Sequence, residues 1–160
     1  MIIRAQDLDP EGLEIDLPLD VGPLRSETDE TILVEGAVLR GRVTPGRRGL
    51  SFSGRLVCRA EVQCARCVTP FTMEIDRSFD LHYSFSQPRG KEIQIPEEEL
   101  DEAFLQEGDG IDLHLIATEQ IYLEIPMKPL CRSTCRGLCA RCGADLNKGG
   151  CLCEALSSQA

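Results

Sequence analysis

Leu50-Ser-Phe52-Ser-Gly54-Arg-Leu56-Val-Cys58-Arg-Ala60-Glu-Val62-Gln-Cys64 alternates with a period of two. Leu50, Phe52, Gly54, Leu56, Cys58, Ala60, Val62 and Cys64 share one face, and Ser51, Ser53, Arg55, Arg59, Glu61 and Gln63 the other, with Val57 among them. Such alternation marks a long strand with one wet face. After Cys67 it resumes. Phe71, Met73, Ile75, Phe79, Leu81, Tyr83 and Phe85 point one way, and Arg77 is the one misfit on that face. The two strands form an antiparallel hairpin with Cys64 and Cys67 at its tip. Cys58, inside the apolar series, reads as a small core residue.

Working outward, Leu13, Ile15, Leu17 and Leu19 form a shorter alternating strand, placed at a sheet edge because Pro18 lacks a backbone N–H. Asp20 to Asp29 reads as a loop, and Thr31 to Val43 as a second strand. Pro96-Glu-Glu-Glu can open a short helix. Asp112 suits a helix N-cap. Leu113, Ile116, Ala117, Ile121 and Glu124 then recur at helical spacing, Leu115 and Tyr122 widen the stripe, and Pro126 ends the helix. The expected architecture is a β-rich α+β fold: an antiparallel sheet with one main helix and a C-terminal zinc knuckle. An open sheet and a partly closed barrel both fit. Residues 1–130 form the β-rich unit, and 131–160 a cysteine-rich tail packed on it.

The tail runs Cys131-Arg-Ser-Thr-Cys135-Arg-Gly-Leu-Cys139-Ala-Arg-Cys142-Gly-Ala-Asp-Leu-Asn147-Lys-Gly-Gly-Cys151-Leu-Cys153. It holds six of the nine cysteines. No run of about eighteen apolar residues is present, and the first residues lack the basic start and apolar stretch of a secretion signal. A cytoplasmic location is therefore expected, where thiols stay reduced and paired Cys-x-x-Cys segments read as metal sites. A tetrahedral Zn²⁺ takes four soft ligands, often as two close pairs. One partition places Cys64, Cys67, Cys131 and Cys135 on one ion, and Cys139, Cys142, Cys151 and Cys153 on a second. Another lets Cys131, Cys135, Cys139 and Cys142 share a single ion. All-cysteine sites argue for structural zinc, up to two ions, and against an enzyme. No phosphate-binding glycine loop or nucleophile elbow occurs. His82 and His114 read as ordinary surface residues.

Charge is uneven around the net −10. Residues 1–35 carry −8 and residues 92–130 carry −10. Residues 36–91 carry +6 and residues 131–160 carry +2, so both cysteine-bearing blocks are basic. A cationic face for nucleic acid and an acidic face for a cationic partner follow as expectations. The cations are Arg40, Arg42, Arg47, Arg48, Arg55, Arg59 and Arg66, with Arg132, Arg136 and Arg141 in the tail.

The sequence resembles the YceD family of large ribosomal RNA subunit accumulation proteins. The matching residues are Cys64-Ala-Arg-Cys67 with Phe71, Gly110-Ile111-Asp112-Leu113, and Glu119-Gln-Ile-Tyr-Leu-Glu-Ile-Pro126. In the tail they are Pro129-Leu-Cys131, Cys135-Arg-Gly-Leu-Cys139, Cys142-Gly143, Leu146-Asn147 and Cys151-Leu-Cys153. The resemblance implies a role in 23S ribosomal RNA accumulation and large-subunit assembly, with the subunit precursor, 23S rRNA or a basic zinc-binding ribosomal protein as partners. It supplies no catalytic residue, small-molecule substrate or membrane. Members that lack the last two cysteine pairs keep residues corresponding to Cys64, Cys67 and Cys135, which favours the first partition and makes the second site accessory. Two roles are carried forward: a zinc-binding factor touching ribosomal RNA, and an acidic escort for a basic ribosomal protein.

Overall fold

The computed structural model describes residues 1–25, 31–46, 49–85, 102–105, 109–151 and 153. Its centre is the expected hairpin. β5 (Gly49–Gln63) and β6 (Pro70–Ser84) pair antiparallel along their whole lengths, from Gly49 opposite Ser84 to Gln63 opposite Pro70. β4 (Thr31–Pro45) lies on the other side of β5, with a register shift between Glu35 and Val38. Gly36 there has φ of 63°, a left-handed angle that glycine adopts without a Cβ penalty.

Among the described residues β2 (Leu13–Leu19) pairs only with β4 and so is an edge strand, which tolerates Pro18 opposite Val38. The sheet runs β2-β4-β5-β6-β7 as an open path, so among the described residues it does not close into a barrel. Its pairings are antiparallel except at β7 (Glu102–Phe104), which joins the end of β6 in parallel. Several short strands depart from the sequence reading. The loop expected after Asp20 contains β3 (Leu24–Arg25), which extends the β4 edge. β1 (Ile2–Arg4) pairs with β8 (Gly110–Asp112) as a separate ribbon. The short helix expected after Pro96 lies outside the described residues.

The inward face of β5 supplies the core, with Phe52, Leu56 and Ala60 fully buried beside Leu39 and Val43 of β4. Gly41 and Gly54 face each other across β4 and β5, and a Cβ on Gly54 would meet the Phe79 ring at 2.8 Å. The space goes to Phe52 and Phe79, whose rings stack edge to face at 5.4 Å. Cys58 is buried here as expected, and burial pushes its thiol up to about 11.

α1 (Leu113–Glu124) starts where Asp112 accepts the His114 N–H at 3.0 Å. It buries Leu113, Ile116, Ala117, Gln120 and Ile121. Leu115 and Tyr122, expected to widen this stripe, are exposed instead. The Tyr122 hydroxyl donates to the Arg25 carbonyl at 2.9 Å and accepts the Arg25 N–H, tying the helix to β3. The misfit Arg77 finds its partners on α1: its Nε donates to Gln120 Oε1 at 2.9 Å and its Nη1 to Glu124 Oε1 at 3.0 Å. Among the described residues no helix is long and apolar enough to cross a membrane.

Candidate metal centres

Between β5 and β6 the chain makes a tight knuckle. The Cys64 N–H donates to Thr69 O at 3.0 Å, and the Val68 N–H returns to Cys64 O at 2.9 Å. Val68 has φ of 59°, an outlier for a β-branched residue. The knuckle is gripped from two sides. The Ala65 N–H donates to Pro129 O at 2.8 Å, which delivers Cys131. On the other side the Leu138 N–H donates to Arg66 O at 3.0 Å, while Arg66 Nη1 donates to Cys135 O at 2.8 Å.

These contacts gather the sulfurs of Cys64, Cys67, Cys131 and Cys135 within 4.8 Å of one another. Cys64 and Cys135 lie 3.8 Å apart, as do Cys67 and Cys131. A disulfide needs about 2.05 Å, so these thiols are not bonded. Four sulfurs set tetrahedrally at the usual Zn–S distance of about 2.3 Å stand about 3.8 Å apart, which is the separation found. Cys64, Cys67 and Cys135 are buried and Cys131 is half-buried, together with Phe71 and Leu130.

The second cluster is built within the tail. The Gly143 N–H donates to Cys139 O and the Cys139 N–H to Ala144 O, both at 2.8 Å, and Gly143 has φ of 71°. Leu138 bridges to Asp145, and the Leu146 N–H donates to Gly137 O at 2.9 Å. Cys139, Cys142, Cys151 and Cys153 again bring their sulfurs within 4.8 Å, with Cys139 and Cys151 3.4 Å apart. Cys142 is exposed and the other three half-buried. The gathering follows the first partition of the sequence reading. The grouping of Cys131 and Cys135 with Cys139 and Cys142 does not form.

The electrostatics suit thiolates. Burial opposes ionisation of Cys64, but the backbone N–H groups of Cys131, Arg66 and Cys67 outweigh it and bring the thiol down to about 6. Backbone donors at Arg141 and Cys142 bring Cys139 down to about 6 as well. With neighbours this close, the charge cannot be repeated on every sulfur. Burial and then the adjacent thiols push Cys131 up to about 12, and Cys142 heads the groups that push Cys153 up to about 12. A divalent cation relieves that repulsion, and four sulfurs on one ion leave no open coordination position for substrate.

Asn147 links the two clusters. Its Nδ2 reaches Cys135 Sγ at 3.5 Å and its Oδ1 accepts the Arg136 N–H at 2.9 Å. Neither this role nor that of Arg66 was legible, because each depends on contacts between turns far apart in sequence.

Three of the described sheet arginines are paired within the fold. Arg40 pairs with Asp16 at 3.1 Å and Arg42 with Glu14 at 2.8 Å, across β2 and β4. Arg55 pairs with Asp76 at 2.6 Å, across β5 and β6. Arg59 stands opposite Glu35 and Glu74. Arg47 and Arg48 lie outside the described residues. The histidines are exposed, as expected: His82 Nδ1 meets Ser51 Oγ at 3.0 Å, and His114 Nε2 meets Asp20 O at 3.2 Å.

Residues 52–159 match the family model described as large ribosomal RNA subunit accumulation protein YceD. An uncharacterized protein of Mycobacterium tuberculosis is 30% identical over 105 residues, which is 66% of this chain and 49% of that protein. A Mycobacterium leprae protein, also uncharacterized, is 32% identical over 95 residues, covering 59% of this chain and 42% of its own length. The chloroplastic YCED homolog 1 of Arabidopsis thaliana, named as a large ribosomal RNA subunit accumulation protein, is 40% identical over 50 residues, or 31% of this chain and 16% of that one. The chain thus spans about half the length of the mycobacterial relatives. No solved structure matches. Since the family model takes in both cysteine clusters, α1 and nearly all of the β5–β6 hairpin, the chain belongs to the YceD family.

Proposed function

We propose that the protein is a non-enzymatic, zinc-binding cytoplasmic factor that supports large ribosomal subunit assembly and accumulation of 23S rRNA. The reading rests on family membership together with the two four-thiol clusters. Cys64, Cys67, Cys131 and Cys135 hold one ion, and Cys139, Cys142, Cys151 and Cys153 a second. Zinc fits the donor set: it favours four thiolates in a tetrahedron and carries no redox chemistry of its own. The first ion pins the tail, residues 131–160, to the β-rich unit, residues 1–130. That closes a long chain loop, where loop-closure arguments place the largest gain. Neither ion keeps a position for substrate, so the function is binding.

The test is complementation. Cells depleted of the protein should show a lowered ratio of 23S to 16S rRNA. The wild-type chain should restore it and Cys64→Ser should not. A normal ratio after depletion would overturn the proposal. The escort alternative draws on the acidic segment 92–130, whose run Glu97-Glu98-Glu99 lies outside the described residues. It would show instead as a basic ribosomal protein bound without RNA.

A further inference from the structure

We propose that the RNA-contacting surface is the cysteine end of the molecule, with the exposed Arg132, Arg136 and Arg141 as phosphate-binding groups, and not the arginine-rich sheet. The inference rests on the function proposed above and deepens it. Two observations carry it. First, the sheet cations face carboxylates across the strands, at Arg40–Asp16, Arg42–Glu14 and Arg55–Asp76. A cation already held by a carboxylate must give it up to bind phosphate and releases little counter-charge when it does. Second, Arg132, Arg136 and Arg141 are exposed and none is in ion-pair contact with a carboxylate among the described residues, although Arg132 is near enough to Asp145 to help lower its carboxyl.

The tail fixes their placement. The Cys135 N–H donates to Arg132 O at 3.1 Å, and the Arg136 N–H is held by Asn147. Arg66, also exposed, donates to Cys135 O, so Arg66, Arg132 and Arg136 are all tied to the backbone at one buried cysteine. Arg141 lies between Cys139 and Cys142 in the second knuckle. Lys148 adds a further cation, 85% exposed and only 3.9 Å from Asp145. Metal-folded knuckles hold their backbones rigid, so the arginines are presented without the ordering cost of a loose basic tail. Phe71, the aromatic residue beside the first cluster, is half-buried against it, and the described tail itself offers bases no ring to stack on. The chemistry is therefore recognition of the phosphate backbone, with a strong salt dependence.

A competing role for these arginines is to balance the negative charge of the four-thiolate centres. The experiment separates the two. Zinc content, circular dichroism and RNA affinity are measured for three full-length proteins: wild type, R132Q/R136Q/R141Q, and a charge-neutral sheet variant, D16N/R40Q/E14Q/R42Q. The probes are a labelled single-stranded RNA and transcribed 23S rRNA fragments, titrated over a range of salt concentrations. The tail variant should keep its zinc and fold, lose about tenfold or more in affinity, and show a salt slope shallower by about 2, at roughly 0.7 per lost phosphate contact. The sheet variant should bind like wild type. The proposal is overturned if the sheet variant loses affinity and the tail variant does not, or if the tail variant loses zinc in step with affinity. It is also overturned if the wild type binds no RNA. The function proposed above is judged separately, by the rRNA ratio in depleted cells.

Discussion

Cys64 and Cys135 are 71 residues apart in sequence, yet their sulfurs lie 3.8 Å apart, one at the end of the central strand and the other in the tail. The hairpin tip, the Pro129 segment and the Arg66 contacts bring them together. The first centre is therefore a long-range cross-link, whereas the second is local to residues 139–153. Cys64→Ser should lose one zinc per chain and cost about 3 kcal/mol or more, a fall in Tm on the order of 10 °C. Cys151→Ser should lose the other zinc with a much smaller fall. Elemental analysis and thermal unfolding of both variants check this, and equal losses of stability would refute the division of labour.

Exposure predicts the order in which metal leaves. Cys142 is exposed and its three partners half-buried, while Cys64, Cys67 and Cys135 are buried. A chelator or a thiol reagent should empty the second centre first. Stopped-flow release into a chromophoric chelator should then show two phases, and Cys151→Ser should abolish the fast one. Loss of the slow phase instead would reverse the assignment.

Arg77 sits beneath α1, 35% exposed, with its guanidinium shared between Gln120 and Glu124. Gln120 is only 3% exposed, so removing its donor strands a buried carbonyl oxygen. Arg77→Ala should cost about 1–3 kcal/mol. Adding Gln120→Leu should recover part of that loss, because the orphaned group is then gone. Urea denaturation of the single and double variants measures this, and no recovery would mean that Arg77 acts through packing alone.

Arg77 also shows how the sequence informs and where it stops. Alternation along 50–85 was enough to place both long strands and their cysteine tip, because each residue's face depends only on its neighbours. The same alternation flagged Arg77 as out of place, but its partners lie 43 and 47 residues away. The β1–β8 ribbon is not legible for that reason: Ile3 pairs with Ile111, and strands of three residues carry too little pattern to announce a partner so distant. Tyr122 reads as part of the apolar stripe because of its ring, although its hydroxyl serves the Arg25 backbone at the surface. Spacing alone grouped the cysteines into close pairs and left two partitions open, and the resemblance favoured the one that joins the hairpin tip to Cys131 and Cys135.

Asp112 caps α1 and also meets the terminal amino group of Met1 at 3.4 Å, where β1 pairs with β8. The His114 N–H, aided by that amino group, holds the carboxyl below its ordinary value. A depressed carboxyl contributes stability above its unfolded pKa of about 3.9 and loses it as pH falls through the folded value. Asp112→Ala should therefore cost about 1 kcal/mol at neutral pH, the usual worth of an N-cap. The gap to wild type should close below about pH 4. Thermal unfolding across pH tests both, and a gap that is independent of pH would place the cost in packing.

Gly137 and Gly143 give a matched pair of probes for the grip on the hairpin tip. Both have left-handed backbones, with φ of 75° and 71°. A Cβ on Gly137 would meet Arg66 O at 2.9 Å and Arg66 Cβ at 3.2 Å, whereas one on Gly143 meets nothing within 4 Å. Each alanine pays the left-handed penalty of about 1 kcal/mol. Only Gly137→Ala must also push back the carbonyl that accepts the Leu138 N–H and the residue whose guanidinium holds Cys135. Gly137→Ala should therefore destabilise more than Gly143→Ala and weaken zinc binding at the first centre, while Gly143→Ala touches only the second. Competition with a chromophoric chelator, run beside thermal unfolding, reads both effects. Identical behaviour of the two variants would mean that the tip is held by its thiols alone, without help from the Arg66 contacts.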